Sequence, residues 1–251
     1  MKKIIFSPMF LAAILVASCT ENVMVQNNTL TAREKAEGWT LLFDGKSFDG
    51  WRQYNGTGIS DFWSIDDEAM RIAPMSERPP RDSEGPRVRS SCIIFADRTF
   101  LNFELSIDWK VAKGANSGIF YYVQEIPGQN IFAAAPEIQV LDNWNARDNV
   151  RTRHLAGSLY GILPALPSNA RPHGEWNTVV VRVKDGHATH TQNGVKVVEY
   201  TLWTEEWDEL VANSNMANWP NFNPSREGGF IGLQDHQDYA VWFRNVKIRE
   251  L

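Results

Sequence analysis

Hydrophobic residues recur at every second position along much of this chain, and that period limits its fold more than any other feature. Phe103, Leu105, Ile107, Trp109 and Val111 alternate with mostly polar residues, the pattern of a strand buried on one face and wetted on the other. Thr178 to Val183 reads as a second strand. His190 to Tyr200 carries Asn193-Gly194 between strand-like flanks, and this dipeptide supplies the two positive φ angles of a tight hairpin. Trp63-Ser64-Ile65 and Met70-Arg71-Ile72 predict another hairpin around Asp66-Asp67-Glu68. Val241 and Phe243 share one parity and Val246 and Ile248 the other, so a bulge or bend is expected around Asn245. Only one stretch reads as helix: Thr204 as cap, then residues 205–211 with acids in the first turn. Pro and Gly clusters at 74–86, 164–174 and 220–229 are loops. Many short strands joined by long loops predict an all-β, antiparallel sandwich or jelly roll. The first strand (Trp39 to Phe43) and the last (Tyr239 to Leu251) are expected to pair.

The N-terminus reads as an address. Lys2 and Lys3 precede an apolar run from Ile4 to Val16, followed by Ala17, Ser18 and Cys19, the order of a secretory signal. The run is too short and too interrupted for a comfortable membrane span. Val16-Ala17-Ser18-Cys19 also resembles a bacterial lipobox, which would make residues 1–18 a lipoprotein signal and Cys19 the lipidated residue. The mature protein would then be exported, periplasmic or outer-membrane associated, and held to a membrane only through its lipid. Residues 19–37 are polar without periodicity and read as a tether. A single domain follows over residues 38–251. Cys92 would be the one remaining thiol; set in an apolar strand-like run, it is expected to be buried and structural.

The 251 residues carry a net charge of -5, which disfavours a nucleic-acid partner. No G-x-x-x-x-G-K-[ST], G-x-G-x-x-G, C-x-x-C, H-E-x-x-H or G-x-S-x-G motif is present, so nucleotide cofactors, standard metal motifs and a nucleophile elbow have no local support. His187 and His190, three apart on a strand, are expected on opposite faces. Ten tryptophans are compatible with sugar stacking as well as with core packing. Trp39, Trp109 and Trp242 fall in strand patterns and read as packing, whereas Trp144 and Trp219 are better placed to meet a sugar.

Four segments put polar groups where a plain strand would not. Asn116-Ser117-Gly118 opens an apolar run. Glu137 and Gln139 lie two apart and so share one face of a strand. Arg153-His154 and Tyr160 sit among Gly157 and Gly161, where the backbone can approach a ligand, and histidine is readily poised as acid or base. Gln234 and His236 share a parity, with Asp235 between them. Together these suggest one polar, concave binding face on a sheet.

The ordered set Gly38-Trp39-Thr40-Leu41-Leu42-Phe43-Asp44-Gly45-Lys46, Asn116-Ser117-Gly118-Ile119, Glu137-Ile138-Gln139-Val140-Leu141-Asp142-Asn143, Gly157-Ser158-Leu159-Tyr160-Gly161, Gly174-Glu175-Trp176-Asn177, Gly232-Leu233-Gln234-Asp235-His236 and Phe243-Arg244-Asn245-Val246 closely resembles the 3-keto-disaccharide hydrolase family over nearly all of residues 38–251. The resemblance implies a concanavalin A-like, laminin-G-like jelly roll of two antiparallel sheets and cleavage of 3-keto-glycosides, small-molecule substrates. Two positions depart from the family pattern: Gln237 follows the Gln-Asp-His motif where glycine is frequent, and Glu68 stands where the hairpin usually has glycine.

A ketone at C3 acidifies the C2 proton, so this chemistry needs a base, an acid for the leaving oxygen and enolate stabilisation. His154 or Glu137 is the expected base, and His236 or Tyr160 the acid. Asn116, Gln139, Arg153, Gln234 and Asp235 would hold hydroxyls or the enolate, with Trp144 and Trp219 as stacking surfaces. A divalent cation on Glu137, Asp142 or His154 is conceivable. Direct two-carboxylate hydrolysis and a non-catalytic carbohydrate-binding module are the alternatives.

Overall fold

A computed structural model describes residues 26–78, 91–219, 222–236 and 239–251. The signal over residues 1–18, Cys19 and Gln237 lie outside the described residues. In chain order the strands are β1 (Thr40–Leu41), β2 (Trp51–Gln53), β3 (Trp63–Asp66), β4 (Ala69–Ile72), β5 (Ile93–Phe100), β6 (Phe103–Val111), β7 (Asn116–Val123), β8 (Glu137–Leu141), β9 (Asn177–Lys184), β10 (His187–Gln192), β11 (Val195–Thr201), β12 (Gly229–Leu233) and β13 (Val241–Glu250). Two short helices accompany them, α1 (Ala32–Ala36) and α2 (Glu205–Ala212).

The strands form two antiparallel sheets, as the alternation predicts. The larger runs β11-β10-β9-β6-β13-β4-β3 with β1 beside β13, and the smaller runs β2-β5-β12-β7-β8. Side chains of one parity from each sheet meet between them: Leu105, Ile107 and Trp109 from β6, Ile119 and Tyr121 from β7, Ile138 and Val140 from β8, all buried in one cluster. A smaller apolar cluster of Cys92, Ile94, Phe120, Val123, Ile131 and Ala135 covers part of the opposite face of the smaller sheet. Both faces of β7 and β8 are therefore buried, and a polar group on either needs a partner or a purpose.

The predicted turns hold. Asn193 and Gly194 have φ of 49° and 82° and join β10 to β11. Asp67 and Glu68 make the same kind of turn at φ 49° and 57° without a glycine; the Asn28 side-chain amide donates to the Glu68 carbonyl at 2.8 Å and holds it in place. At Asn245, with φ 52°, the register of β13 against β6 shifts between Arg244 and Lys247. Before the shift β13 pairs with β4; after it, Ile248 pairs with Thr40 of β1, so the terminal strands meet. Thr204 caps α2 by accepting from the Trp207 N–H. Trp109 is fully buried and Trp39 nearly so. Trp242 differs: it lies on the outer face, half-buried, with the Lys110 ammonium 4.7 Å from its ring centre and its indole N–H donating to Asp66 at 2.8 Å.

Within the expected tether, residues 26–37 belong to the fold instead. The Asn28 N–H donates to the Asn245 side chain at 2.6 Å, and the Asn245 N–H donates back to the Asn28 side chain at 2.8 Å. Thr31 and Glu34 form a capping box on α1, and Glu34 pairs with Lys247. Side-chain-to-backbone bonds order this segment, which is why hydrophobic periodicity misses it; Thr31-x-x-Glu34 was the legible signal.

His187 and His190 do face opposite ways on β10. His187 is exposed beside Glu199 at 3.2 Å. His190 is buried, its Nδ1–H donating to the Gly157 carbonyl at 3.1 Å and its Nε2 lying 3.5 Å from the Tyr121 hydroxyl. Burial disfavours the imidazolium and lowers its pKa to about 4. As pH falls below about 6.5 the unfolded chain binds a proton that the fold excludes until about pH 4, so stability present above that window is lost across it. The expected loss from this group is about 3 kcal/mol, since each tenfold change in proton affinity is worth ~1.4 kcal/mol. Urea midpoints at pH 7, 5.5 and 4.5 check this: His190→Gln should show a shallower acid slope than the parent, and parallel slopes would contradict it.

Candidate active site

Strands β8, β7 and β12 lie side by side, and the site grows from their shared outer face. In register, Gly118 pairs with Gln139 and Phe120 with Glu137. On the other side of β7, the Gln234 N–H donates to the Gly118 carbonyl at 2.9 Å, and the Ser117 hydroxyl donates to the Gln234 carbonyl at 2.8 Å. Gly118 thus sits between a strand carrying Glu137 and Gln139 and β12, which Gln234 directly follows. It has no side chain, and the Glu137 side chain lies across the gap: a Cβ on Gly118 would come 2.1 Å from Glu137 Oε1 and 2.7 Å from its carboxyl carbon. The missing side chain lets a carboxyl lie down on the middle of a sheet and reach Gln234 on the neighbouring strand.

Beyond β8 the chain returns along that strand's free edge. Gln139 N–H donates to Ser158 at 3.0 Å, Gly157 N–H to Gln139 at 2.8 Å, and Tyr160 N–H to Glu137 at 2.9 Å. The turn needs Gly157, whose φ is 88° and whose missing Cβ leaves room for the Gln192 side chain. These bonds bring Tyr160 beside Glu137. Within α2, buried Trp207 stacks between Tyr200 and Phe222, and the turn that follows the helix carries Asn215, Met216 and Trp219.

The result is a cavity of about 300 Å³. Glu137, Gln139, Asn116 and Gln234 line its sheet side; Tyr160, Asn215, Met216, Trp219, Phe132 and His236 complete the wall. Trp219 and Phe132 pack against each other at 4.9 Å between ring centres. Gln139 donates to the Asn116 side-chain oxygen at 3.1 Å. The side-chain carbonyl oxygens of Gln139 and Gln234 are buried with no partner among the described residues, two acceptors available to the donors of a hydroxylated ligand.

Burial, then the nearby Asp148 charge, pushes the Glu137 carboxyl well above its usual range, against the pull of the hydrogen bond from Gln234. Burial raises the Tyr160 phenol too, helped by the Asp148 and Glu137 charges and a hydrogen bond with Asp148. A carboxyl of raised proton affinity and a phenol that stays protonated near neutrality are a matched base and acid.

His154 stands behind this wall. It is buried, is not among the residues lining this cavity, and both ring nitrogens are engaged: Nδ1 lies 2.8 Å from Asp148 Oδ1, and Nε2 accepts from the Asn215 amide at 3.1 Å. Its neighbours reach ligand space in its stead. The Asn215 oxygen is held by Arg153 at 3.0 Å and Arg151 at 3.2 Å, so Arg153 meets a residue of the cavity wall and is not itself among the lining residues.

Three other expectations move elsewhere. Asp235 is buried in a two-pronged ion pair with Arg78 at 2.7 and 2.9 Å and accepts from the Ser91 N–H at 3.2 Å; its own N–H donates to Cys92 Sγ at 3.3 Å, so the buried thiol is structural as expected. Asp142 accepts from Gly114 N–H and the Asn145 amide at 2.8 Å each and from Trp144 N–H at 3.1 Å. Burial alone would raise its carboxyl, but these bonds and His173 hold it below its usual range. Trp144 is 56% exposed and lines neither cavity of this face. Among the described residues no group of three or more His, Cys, Asp or Glu is gathered as a metal site, so Glu137, Asp142 and His154 do not converge on a cation.

Sequence reasoning missed Asp148, Asn215, Phe132 and Met216. Asn215 follows the predicted helix in an Asn-Ser-Asn turn, and Asp148 precedes His154 by six residues; both gain meaning only once the loops close over the sheet.

The profile of the 3-keto-alpha-glucoside-1,2-lyase-like domain matches residues 38–249. A Bacteroides thetaiotaomicron protein named 3-keto-disaccharide hydrolase is 39% identical over 240 residues, covering 86% of this chain and 79% of its own. A crystal structure of a candidate glycosyl hydrolase from Parabacteroides distasonis superposes with a TM-score of 0.79 at 31% identity, over 90% of this chain and 100% of that one. A second candidate glycosyl hydrolase from that organism gives 0.62 at 26% identity, over 85% and 99%. With the match running from Gly38 to the last strand, this chain belongs to the 3-keto-alpha-glucoside-1,2-lyase-like family.

Proposed function

We propose that this protein cleaves 3-keto-glycosides by removing the C2 proton, expelling the C1 substituent and adding water to the resulting enone. The observation that carries the reading is the Glu137 carboxyl, buried at the cavity floor with raised proton affinity and fixed beside Tyr160. The relative named 3-keto-disaccharide hydrolase supports the substrate class.

Glu137, as carboxylate, takes the C2 proton; the C2–H electron pair becomes the enolate and then the C1=C2 bond. The C1–O pair leaves with the oxygen, which takes a proton from Tyr160, with His236 at the rim as the alternative donor. Water then adds its oxygen to C1 and gives a proton to the Tyr160 phenolate, while Glu137 returns its proton to C2, so both groups are restored and the net change is hydrolysis without an oxocarbenium ion. The amides of Asn116, Gln139 and Gln234 hold hydroxyls and the enolate oxygen, and Trp219 with Phe132 offers the apolar wall against which a sugar ring packs.

Glu137→Gln should lower kcat/KM on a 3-keto-glucoside by roughly 10²–10⁴-fold, the usual worth of a placed base. The parent should exchange the C2 hydrogen with deuterated water, and the variant should not; equal turnover of a 3-keto-glycoside and its unoxidised parent sugar would sink the elimination. Because the base form is required, activity should climb with pH through a range well above that of an ordinary glutamate. Stability should run the other way: ionising the buried carboxyl disfavours the fold as pH rises above the unfolded value near 4.5. Relative to the parent, Glu137→Gln should therefore gain melting temperature between pH 4 and pH 8.

Gly118→Ala tests the geometry without touching an ionisable group. A methyl there must displace the Glu137 carboxyl, and an ångström of misplacement costs roughly 10²-fold in rate. Kinetics with a circular-dichroism melt should show that loss in a folded protein; full activity would show that the carboxyl need not lie across the gap.

A further inference from the structure

Tyr160 ends a hydrogen-bonded chain whose direction is fixed at its far end. Arg153 and Arg151 donate to the Asn215 side-chain oxygen at 3.0 and 3.2 Å, which turns the Asn215 amide nitrogen toward His154. That nitrogen donates to His154 Nε2 at 3.1 Å, so the ring proton sits on Nδ1 and donates to Asp148 Oδ1 at 2.8 Å. Asp148 is thereby held as an acceptor, and the Tyr160 hydroxyl donates to it as well. The His154 ring also packs on the Tyr160 ring, 4.8 Å between centres. The chain runs from buried to wet: the His154 side chain keeps 6% of its surface exposed and the Asp148 side chain 27%. Asp148 opens onto a second cavity, of about 570 Å³, which shares Asn116, Tyr160 and His236 with the Glu137 cavity. Ser76 and Arg147 add polar groups to it beside Met75 and Tyr239, and Met75, Arg147 and Tyr239 are exposed. Tyr160 therefore stands between the cavity that carries Glu137 and a second one, rimmed by exposed side chains, that carries Asp148.

We propose that Asp148 commits this protein to hydrolysis: resting on the elimination reading above, it holds the water that adds to C1, and His154 and Asn215 are the positioning residues that hold Asp148. Elimination by itself ends in an enone, and a protein that stopped there would be a lyase. Hydration needs a water aimed at C1 and a group to take its proton. Once the leaving oxygen has taken the Tyr160 proton, the phenolate and the Asp148 carboxylate stand side by side, two acceptors for the two hydrogens of one water. Both groups line the second cavity, which supplies that water. Its oxygen bonds to C1, the C1=C2 electron pair moves onto C2 and takes the proton held by Glu137, and one water hydrogen passes to the phenolate. The other hydrogen stays on the new C1 hydroxyl, with Asp148 accepting from it throughout. Atoms and charge balance, and Glu137, Tyr160 and Asp148 end as they began. The Asp148 charge also strengthens the phenolate as a base, in the same direction as burial. An asparagine in place of Asp148 has one acceptor oxygen where two donors converge, and its amide N–H faces one of them.

Turnover of a methyl 3-keto-glucoside by the full chain separates the two half-reactions, with the enone followed by its ultraviolet absorbance and the hydrated 3-keto sugar by chromatography. The unsubstituted protein should release the hydrated sugar with little enone. Asp148→Asn should slow hydration by roughly 10²-fold, the usual worth of a placed proton acceptor, so the ratio of enone to hydrated sugar should rise about tenfold or more. A merely structural loss lowers both products together and leaves that ratio where it was. His154→Leu should raise the ratio as well, and His154→Gln, which keeps one donor and one acceptor, should bring it back toward that of the unsubstituted protein. The His154 pair carries the test should Asp148→Asn not fold. Slower turnover at an unchanged ratio overturns the assignment while leaving the elimination in place. Enone release by the unsubstituted protein at the variants' ratio does the same, since hydration would then occur in solution. Failure of the unsubstituted protein to consume the substrate overturns the elimination reading and this one with it.

Discussion

A carboxyl lying on the bare backbone of Gly118 is the constraint around which this molecule is arranged. In the middle of a sheet buried on both faces, an ionisable side chain normally has no room and no solvent. The absent side chain on β7 creates the room, and the loops that close over the sheet remove the solvent. Burial raises the proton affinity of Glu137, and the single hydrogen bond from Gln234 only partly offsets it. The same packing that disfavours the ion makes it a stronger base once formed.

The remaining structure holds that arrangement in place by polar contacts more than by apolar ones. The 157–160 segment rides on β8 through three backbone bonds. Asp142 gathers three donors into the turn after β8. The Arg78–Asp235 pair, with both side chains almost wholly buried, ties the loop after β4 to the end of β12, the strand that delivers Gln234. Removing either partner of such a pair leaves an uncompensated charge and costs roughly 3–5 kcal/mol. His154 has the same character: a buried ring whose two nitrogens set the rotamers of Asp148 and Asn215, groups that do reach the cavities.

Much of this was legible in the chain. Parity assigned Glu137 and Gln139 to one face, Asn245 marked the bulge by which β13 changes neighbours, and Asn193-Gly194 and Thr204 placed a hairpin and a helix start. These signals are local, and their physics acts within a few residues. The errors concern groups whose roles depend on distant partners. Asp235 looks like a site residue because it lies between Gln234 and His236, yet alternation turns it away toward Arg78, far off in sequence. His154 looks like a base because histidine usually is one; only the approach of Asp148 and Asn215 engages both its nitrogens. Trp144 follows a site segment but emerges into solvent, while Trp219, on a different loop, packs on Phe132 in the cavity wall. Residues 26–37 carry no hydrophobic period because Asn28, Thr31 and Glu34 order them through hydrogen bonds and an ion pair.

The clasp between Asn28 and Asn245 bears on more than the stability of one edge. Glu34 and Glu37 meet Lys247 and Arg249, whose side chains point away from the core on the larger sheet, while Glu137 points away from it on the smaller one. The N-terminal segment and the cavity therefore sit on opposite sides of the sandwich. The chain before residue 26 thus joins the domain on the side away from the cavity mouth, at a point of entry fixed by the two asparagines.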